Sequence, residues 1–280
     1  MNVSEHEAAK ENQKKYYGLL WEKMMENFNS VELKSRFSLV NSSGYLFTVR
    51  NCRFAIDLQL STFNGFSLIN TDIEKDLEKL QFFFLTHEHS DHFDKELIKR
   101  LSRLPVKWIV PDFFTPEQIF ETGIKKENLI IVKNGDYLRF GSLRVLVFNS
   151  SHFREKGGGC DEYGYYIDTG FEKLLFPGDV RTYDPKKLPT FERIDAIFSH
   201  IWFGSGKSDD LPCEPKLSEF CDFALSFNPK RIYLTHLYQL SRSPSQTWGF
   251  THAGLAISRI YSKAPQIEVV APKVGDINYL

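Results

Sequence analysis

Leu80-Gln81-Phe82-Phe83-Phe84-Leu85-Thr86-His87-Glu88-His89-Ser90-Asp91-His92 decides the reading of this chain. The apolar run 80–85 is short, aromatic and followed by polar residues, so it reads as a buried strand rather than a helix. His87, His89, Asp91 and His92, four groups that can bind a transition metal, follow at once. The motif therefore lies where a strand ends and a loop begins, at the rim of a sheet, where α/β proteins place their sites. Histidines at i and i+2 of a turning segment can point two imidazoles at one ion, and Asp91 with His92 can face a second. Imidazole and carboxylate together suit zinc, manganese or iron. Three of the chain's eight histidines fall in this stretch, which makes a chance polar loop the poorer explanation.

Bulk properties bound the alternatives. The 280 residues allow one large domain or two small ones, and 42% hydrophobic with 25% charged residues is ordinary for a globular protein. A net charge of −1 gives no global footprint for nucleic acid, which leaves only a local basic patch for that class of partner. No run of eighteen apolar residues exists, so no transmembrane segment is expected. The first residues, Met-Asn-Val-Ser-Glu-His-Glu, form no apolar signal region, and a cytoplasmic location is expected. Cys52, Cys160, Cys213 and Cys221 lack C-x-x-C pairing and read as ordinary thiols. Cys160 stands apart because it ends Gly157-Gly158-Gly159-Cys160, near another candidate ligand.

Along the chain, residues 4–27 predict an amphipathic helix with Tyr16, Leu19, Leu20, Met24 and Phe28 on its apolar side, docked on the body of the protein. Short β-type runs follow at 33–40, 45–49 and 54–58, separated by turn residues. A helix is expected at 94–103, a strand at 106–110 and a short helix at 115–122. Strands are expected at 130–132, 137–140, 143–148, 163–168 and 173–176. Strands at 196–199, 232–235 and 267–270 alternate with helices at 216–227 and 251–262. No linker or fixed-period repeat divides the chain, so one compact α/β domain of two sheets flanked by helices is expected.

Further ligand-type residues sit at predicted strand ends. His152 follows the run Val145-Leu146-Val147-Phe148, Asp179 follows Leu174-Leu175-Phe176-Pro177-Gly178, and His236 follows Arg231-Ile232-Tyr233-Leu234-Thr235. The order H-x-H-x-D-H, His, Gly-Asp, His resembles the metallo-β-lactamase superfamily, over nearly all of the chain after the first helix. The resemblance implies an αββα sandwich of two mixed β-sheets flanked by helices, with residues 1–30 as an N-terminal helical extension and 31–280 as the superfamily-like domain. It implies one metal ion on His87, His89 and His152, and a second on Asp91, His92 and His236, bridged by Asp179. Two divalent ions, zinc first and manganese or iron as alternatives, would lie about 3.5–4 Å apart and generate a metal-bound hydroxide. Asp91 would also hydrogen-bond that nucleophile. Asp57, in Phe54-Ala55-Ile56-Asp57, matches the family's structural Asp behind the ligand loop.

Departures narrow the branch. Asp179 stands where true β-lactamases usually carry Cys, and His89 is intact where flavodiiron proteins carry Glu. Too few residues follow His236 for the helical substrate domain of glyoxalase II. His200 reads as a strand-end residue near the site, and no basic arm of the tRNA 3′-end endonucleases is visible. The stretch 86–94 resembles the branch of L-ascorbate-6-phosphate lactonase and N-acylphosphatidylethanolamine-type phospholipase D. The expected activity is metal-dependent hydrolysis of a small phosphodiester, a phosphate-bearing substrate or a lactone/ester. A nuclease on RNA or DNA and a non-catalytic metal-binding scaffold are the alternatives. His252 is a candidate proton donor to the leaving group, with a place in the N-terminal turn of a helix as the competing explanation. Lys207, Arg242, Arg154 and Lys156 are candidates for binding an anion, with a solvated surface position as the competing explanation for each.

Overall fold

The computed structural model describes residues 1, 3–60, 72–153, 158–204, 208–209 and 211–280, and the chain divides into two compact units, each built on one seven-stranded mixed sheet. The two sheets and their flanking helices are the fold class that the sequence resemblance implies.

The first unit comprises residues 7–132 and 273–280. Its strands are β1 (Arg36–Leu39), β2 (Tyr45–Val49), β3 (Cys52–Ile56), β4 (Phe82–Phe84), β5 (Lys107–Pro111), β6 (Leu129–Val132) and the last strand of the chain, β14 (Ile277–Tyr279). They lie in the order β14-β1-β2-β3-β4-β5-β6. The pairs from β14 to β3 are antiparallel, and those from β3 to β6 are parallel. Register places Phe37, Phe47 and Phe54 directly opposite one another across β1, β2 and β3. Their rings stack at 5.3 and 4.7 Å, so aromatic cross-strand pairs pin the antiparallel half. In the parallel half Phe83 stacks on its register partner Trp108 at 4.8 Å, and both are fully buried. Burial on both faces is why this stretch is continuously apolar instead of alternating.

Among the described residues four helices accompany this sheet. Helix α1 (Val3–Asn29) buries Tyr17, Trp21, Met24 and Phe28, at i, i+4, i+7 and i+11. Met24 and Phe28 of the expected apolar face are buried, whereas Tyr16 and Leu19 are exposed and Tyr17 and Trp21 take their place. Polar anchors explain the choice: Tyr17 Oη donates to Val40 O at 2.8 Å, and Trp21 Nε1 to Asp76 Oδ2 at 2.7 Å. Helix α2 (Ile73–Asp76) supplies that aspartate. Helix α3 (Lys95–Leu101) starts at Asp94, whose Oδ1 accepts from Leu97 N while Oδ2 accepts from Leu60 N. Helix α4 (Pro116–Glu121) opens with a capping box between Thr115 and Gln118.

The second unit comprises residues 1–6 and 133–272. Its strands are β7 (Tyr137–Phe140), β8 (Leu143–Asn149), β9 (Tyr163–Asp168), β10 (Lys173–Phe176), β11 (Ala196–His200), β12 (Arg231–Thr235) and β13 (Glu268–Val270), in sequential order across the sheet. Pairing is antiparallel from β7 to β10 and parallel from β10 to β13. Helices α5 (Lys216–Ser226) and α6 (Phe250–Lys263) contribute Leu217, Phe220, Ala224, Ala253, Ala256 and Ile260 to its core. Among the described residues no helix is long and apolar enough to cross a membrane.

Candidate functional site

In the first unit, adjacent parallel strands end side by side. Ile56 of β3 is paired with Phe84 of β4, and Asp57 N donates to Phe84 O at 3.0 Å. Asp57 thus meets the segment that opens the histidine motif. Its Oδ1 accepts from Thr86 N at 2.9 Å, and its Oδ2 accepts from Thr86 Oγ1 at 2.6 Å and lies 2.8 Å from His92 Nδ1. Asp57 adopts φ 46°, a left-handed conformation uncommon for a residue with a side chain.

These contacts fix the imidazole tautomers. A carboxylate can only accept, so His92 Nδ1 carries the proton and Nε2 presents a lone pair. The single Thr86 hydroxyl proton goes to Asp57, so the 3.0 Å contact from Thr86 Oγ1 to His87 Nδ1 makes that nitrogen the donor. His87 Nε2 is then a lone-pair atom, and it lies 3.0 Å from His89 Nδ1. His92 Nε2 lies 3.7 Å from Asp91 Oδ2. The rings of His87 and His92 are 4.1 Å apart between centres. The loop is held from behind, because Ser43 Oγ donates to Asp91 O and Gln59 Nε2 to Ser90 O. Imidazoles gathered beside a carboxylate are a donor set for a divalent cation, and a carboxylate behind His92, reaching His87 through Thr86, is a usual way to aim such rings.

The second unit carries its own group at the carboxyl ends of β8, β10, β11 and β12. Asp179 Oδ1 lies 2.7 Å from His200 Nδ1 and 3.6 Å from His236 Nε2, and its Oδ2 accepts from the Arg181 guanidinium at 2.6 Å. His236 has φ 62°, a second left-handed non-glycine residue. Glu162, just before β9 and 3% exposed, accepts the Asp179 N–H on both oxygens at 3.0 Å and lies 3.5 Å from His152 Nδ1. Burial pushes the His152 imidazole down, but the hydrogen bond and charge of Glu162 outweigh it and leave the pKa raised. A proton on this imidazole would compete with a metal ion, so ligation by His152 requires the neutral ring. His152 and Cys160 offer ligand atoms within 4.8 Å of each other, as do Asp179, His200 and His236.

Gly178 makes the Asp179 turn possible. Its φ is +79°, and a Cβ there would stand 2.6 Å from the Glu162 carboxyl.

The structure therefore gathers His87, His89, Asp91 and His92 in one unit, and Asp179, His200 and His236 in the other. His200, expected only near the site, touches the central aspartate. His252, expected as a proton donor, has both ring nitrogens committed to backbone. Nδ1 accepts from Gly249 N at 3.0 Å, so Nε2 donates to Ser208 O at 2.8 Å, with Trp248 packed edge-on at 4.9 Å. It caps α6 instead. Arg242 is half-exposed in the loop after β12. Lys207, Arg154 and Lys156 lie outside the described residues. Glu162 and Arg181 were missed. A carboxylate directly ahead of a buried strand and an Arg two residues after Gly-Asp were the available signals.

A sequence profile of the beta-lactamase superfamily domain matches residues 60–237. No curated protein matches the chain. Among solved structures, CmlA, a diiron beta-hydroxylase from Streptomyces venezuelae, is similar at TM-score 0.64 and 17% identity, over 89% of this chain and 55% of that one. A possible metal-dependent hydrolase from Veillonella parvula gives TM-score 0.65 and 17% identity, over 89% of this chain and 100% of that one. An isothiocyanate hydrolase from Delia radicum gut bacteria gives TM-score 0.61 and 16% identity, over 88% of this chain and 98% of that one. The chain spans about half the length of CmlA, and at these identities the likeness is one of fold.

Proposed function

Because this chain belongs to the beta-lactamase superfamily, whose domain profile covers residues 60–237, we propose that it is a metal-dependent hydrolase cleaving a phosphodiester or a lactone/ester. His87, His89 and His152 would hold one ion, and Asp91, His92 and His236 the other, with Asp179 shared between them. Zinc is the favoured metal, with manganese or iron as alternatives for such donors. Divalent ions held there would supply Lewis acidity to a water and to the scissile oxygen.

The observation that carries the reading is the tautomer control by Asp57. One buried carboxylate holds His92 directly and His87 through Thr86, and turns Nε2 of both rings into acceptors. A carboxylate that aims an imidazole from behind is the usual partner of a metal-ligating histidine, and here one carboxylate serves two rings. The chain's own groups divide the remaining work. Asp91 would accept a hydrogen bond from the attacking water, and Glu162 holds the Asp179 main chain and orients His152. His252 is left outside the catalytic set by its backbone bonds.

The stretch 86–94 favours the branch of L-ascorbate-6-phosphate lactonase and N-acylphosphatidylethanolamine-type phospholipase D, and hence a small phosphate-bearing substrate. The test is a panel of bis-p-nitrophenyl phosphate, simple lactones and p-nitrophenyl esters, assayed with and without chelator. Turnover that is lost on chelation and restored by zinc, manganese or iron is expected. Absence of turnover with every metal refutes the reading, and oligonucleotide cleavage in its place favours a nuclease.

A further inference from the structure

We propose that Arg181 is the specificity-determining residue of this site, binding an oxyanion of the substrate with the part of its guanidinium that the protein leaves unused. The inference rests on the hydrolase reading above and adds the charge of the substrate to it.

Arg181 is only 6% exposed, an unusual position for an arginine without a specific role. It is fixed on several sides. Its backbone N donates to Ser151 O at 2.8 Å, beside His152. Its guanidinium carbon lies 4.7 Å from the centre of the Trp202 ring, which sets the plane of the group by stacking. Tyr183 in turn holds that segment, donating from its hydroxyl to Trp202 O at 2.5 Å.

The pairing with Asp179 is one-armed. Nη2 donates to Asp179 Oδ2 at 2.6 Å, while Asp179 Oδ1 is occupied by His200 at 2.7 Å, so the fork does not close on both carboxylate oxygens. Nη1 makes a long bond to Val180 O at 3.3 Å. A guanidinium has five N–H donors, so with these two bonds three take no acceptor among the described residues. A fork whose plane is fixed by an aromatic ring, with donors to spare beside the carboxylate proposed to bridge the metals, is preorganised for a second planar or tetrahedral oxyanion. Lysine would supply the charge but not the two-pronged geometry.

Two measurements on the full-length protein test this, with Arg181→Lys and Arg181→Met compared against wild type at equal metal content and equal folding by circular dichroism. In the first, inorganic phosphate is titrated calorimetrically, with acetate as a second oxyanion. Phosphate binding about tenfold weaker in Arg181→Met, with Arg181→Lys between it and wild type, is expected. Acetate weakened in parallel would make the recognised group any oxyanion; acetate unaffected would make it phosphate. In the second, kcat/KM is compared for bis-p-nitrophenyl phosphate and uncharged p-nitrophenyl acetate. The anionic substrate is expected to lose at least about tenfold more than the neutral one, chiefly through KM. Equal losses on both substrates with unchanged phosphate affinity overturn the proposal, because Arg181 would then act only by holding Asp179. If wild type turns over neither substrate, the hydrolase reading fails while phosphate titration still decides the role of Arg181.

Discussion

Asp57 Oδ2 lies 2.8 Å from Nδ1 of His92 and accepts the Thr86 hydroxyl at 2.6 Å, so one carboxylate orients the end of the histidine motif and, through Thr86, its beginning. With a separation of 35 residues between Asp57 and His92, only the family resemblance, and no local pattern, set Asp57 behind the ligand loop. The parallel pairing of β3 with β4 brings them together.

Replacing Asp57 by Asn should therefore weaken metal binding without removing a ligand. An amide can donate or accept but carries no charge, so both imidazoles lose their enforced tautomer. Metal affinity is expected to fall about 10- to 100-fold, as for other groups that hold a ligand from behind. Competition with a chromophoric chelator measures this, and unchanged affinity would remove Asp57 from the account.

Gly178→Ala should disrupt the Asp179 turn. The substitution forces a side chain onto a φ of +79° and into the Glu162 carboxyl 2.6 Å away. A loss of about 1–3 kcal/mol in stability is expected from the backbone alone, with weaker metal binding as Glu162 is displaced. Urea denaturation reads the first effect, and full stability in the variant would contradict the strain argument.

Trp21→Ala tests how firmly α1 is joined to its sheet. Trp21 is 1% exposed and donates to Asp76. Truncation should cost about 3–5 kcal/mol, whereas Leu19→Ala, at an exposed position, should cost less than about 0.5 kcal/mol. Similar values for the two would mean that the helix is not docked through this face.

His252 gives a pH dependence of known sign. Burial holds its imidazole below the ordinary 6.5, against the opposing pull of its bond to Ser208 O. Only the neutral ring can accept from Gly249 N while donating to Ser208 O. The folded state therefore binds less proton than the unfolded one, and the stability His252 contributes is present above pH 6.5 and lost as pH falls below it. Urea midpoints at about pH 7.5 and about pH 5 should drop more steeply on acidification in wild type than in His252→Asn. Equal drops would assign the acid sensitivity to other groups.

The sequence was most readable where local pattern and turn residues agree. The expected strands at 45–49, 137–140, 163–168 and 173–176 are β2, β7, β9 and β10 without a shift. Long-range pairing was invisible. Strand β14 has three residues and forms only because Ile277 pairs with Ser38 near the other end of the chain. Helix α2, a single turn capped by Asp72, is too short for periodicity to register. At the site, ligand-type residues at strand ends could be recognised because histidines are few. Glu162 and Arg181 could not, since charged residues near strand ends are common and only tertiary contact with Asp179 singles these two out. The choice between the two readings of His252 has the same origin, for nothing local reveals that Ser208 O lies against its ring.

The most direct test is the number of divalent ions the purified chain binds, by equilibrium titration with elemental analysis, in wild type and Asp179→Ala. The account predicts saturation at about two ions per chain in wild type and loss of at least one in the variant. Saturation of wild type at one ion or none, or an unchanged count in Asp179→Ala, would contradict it.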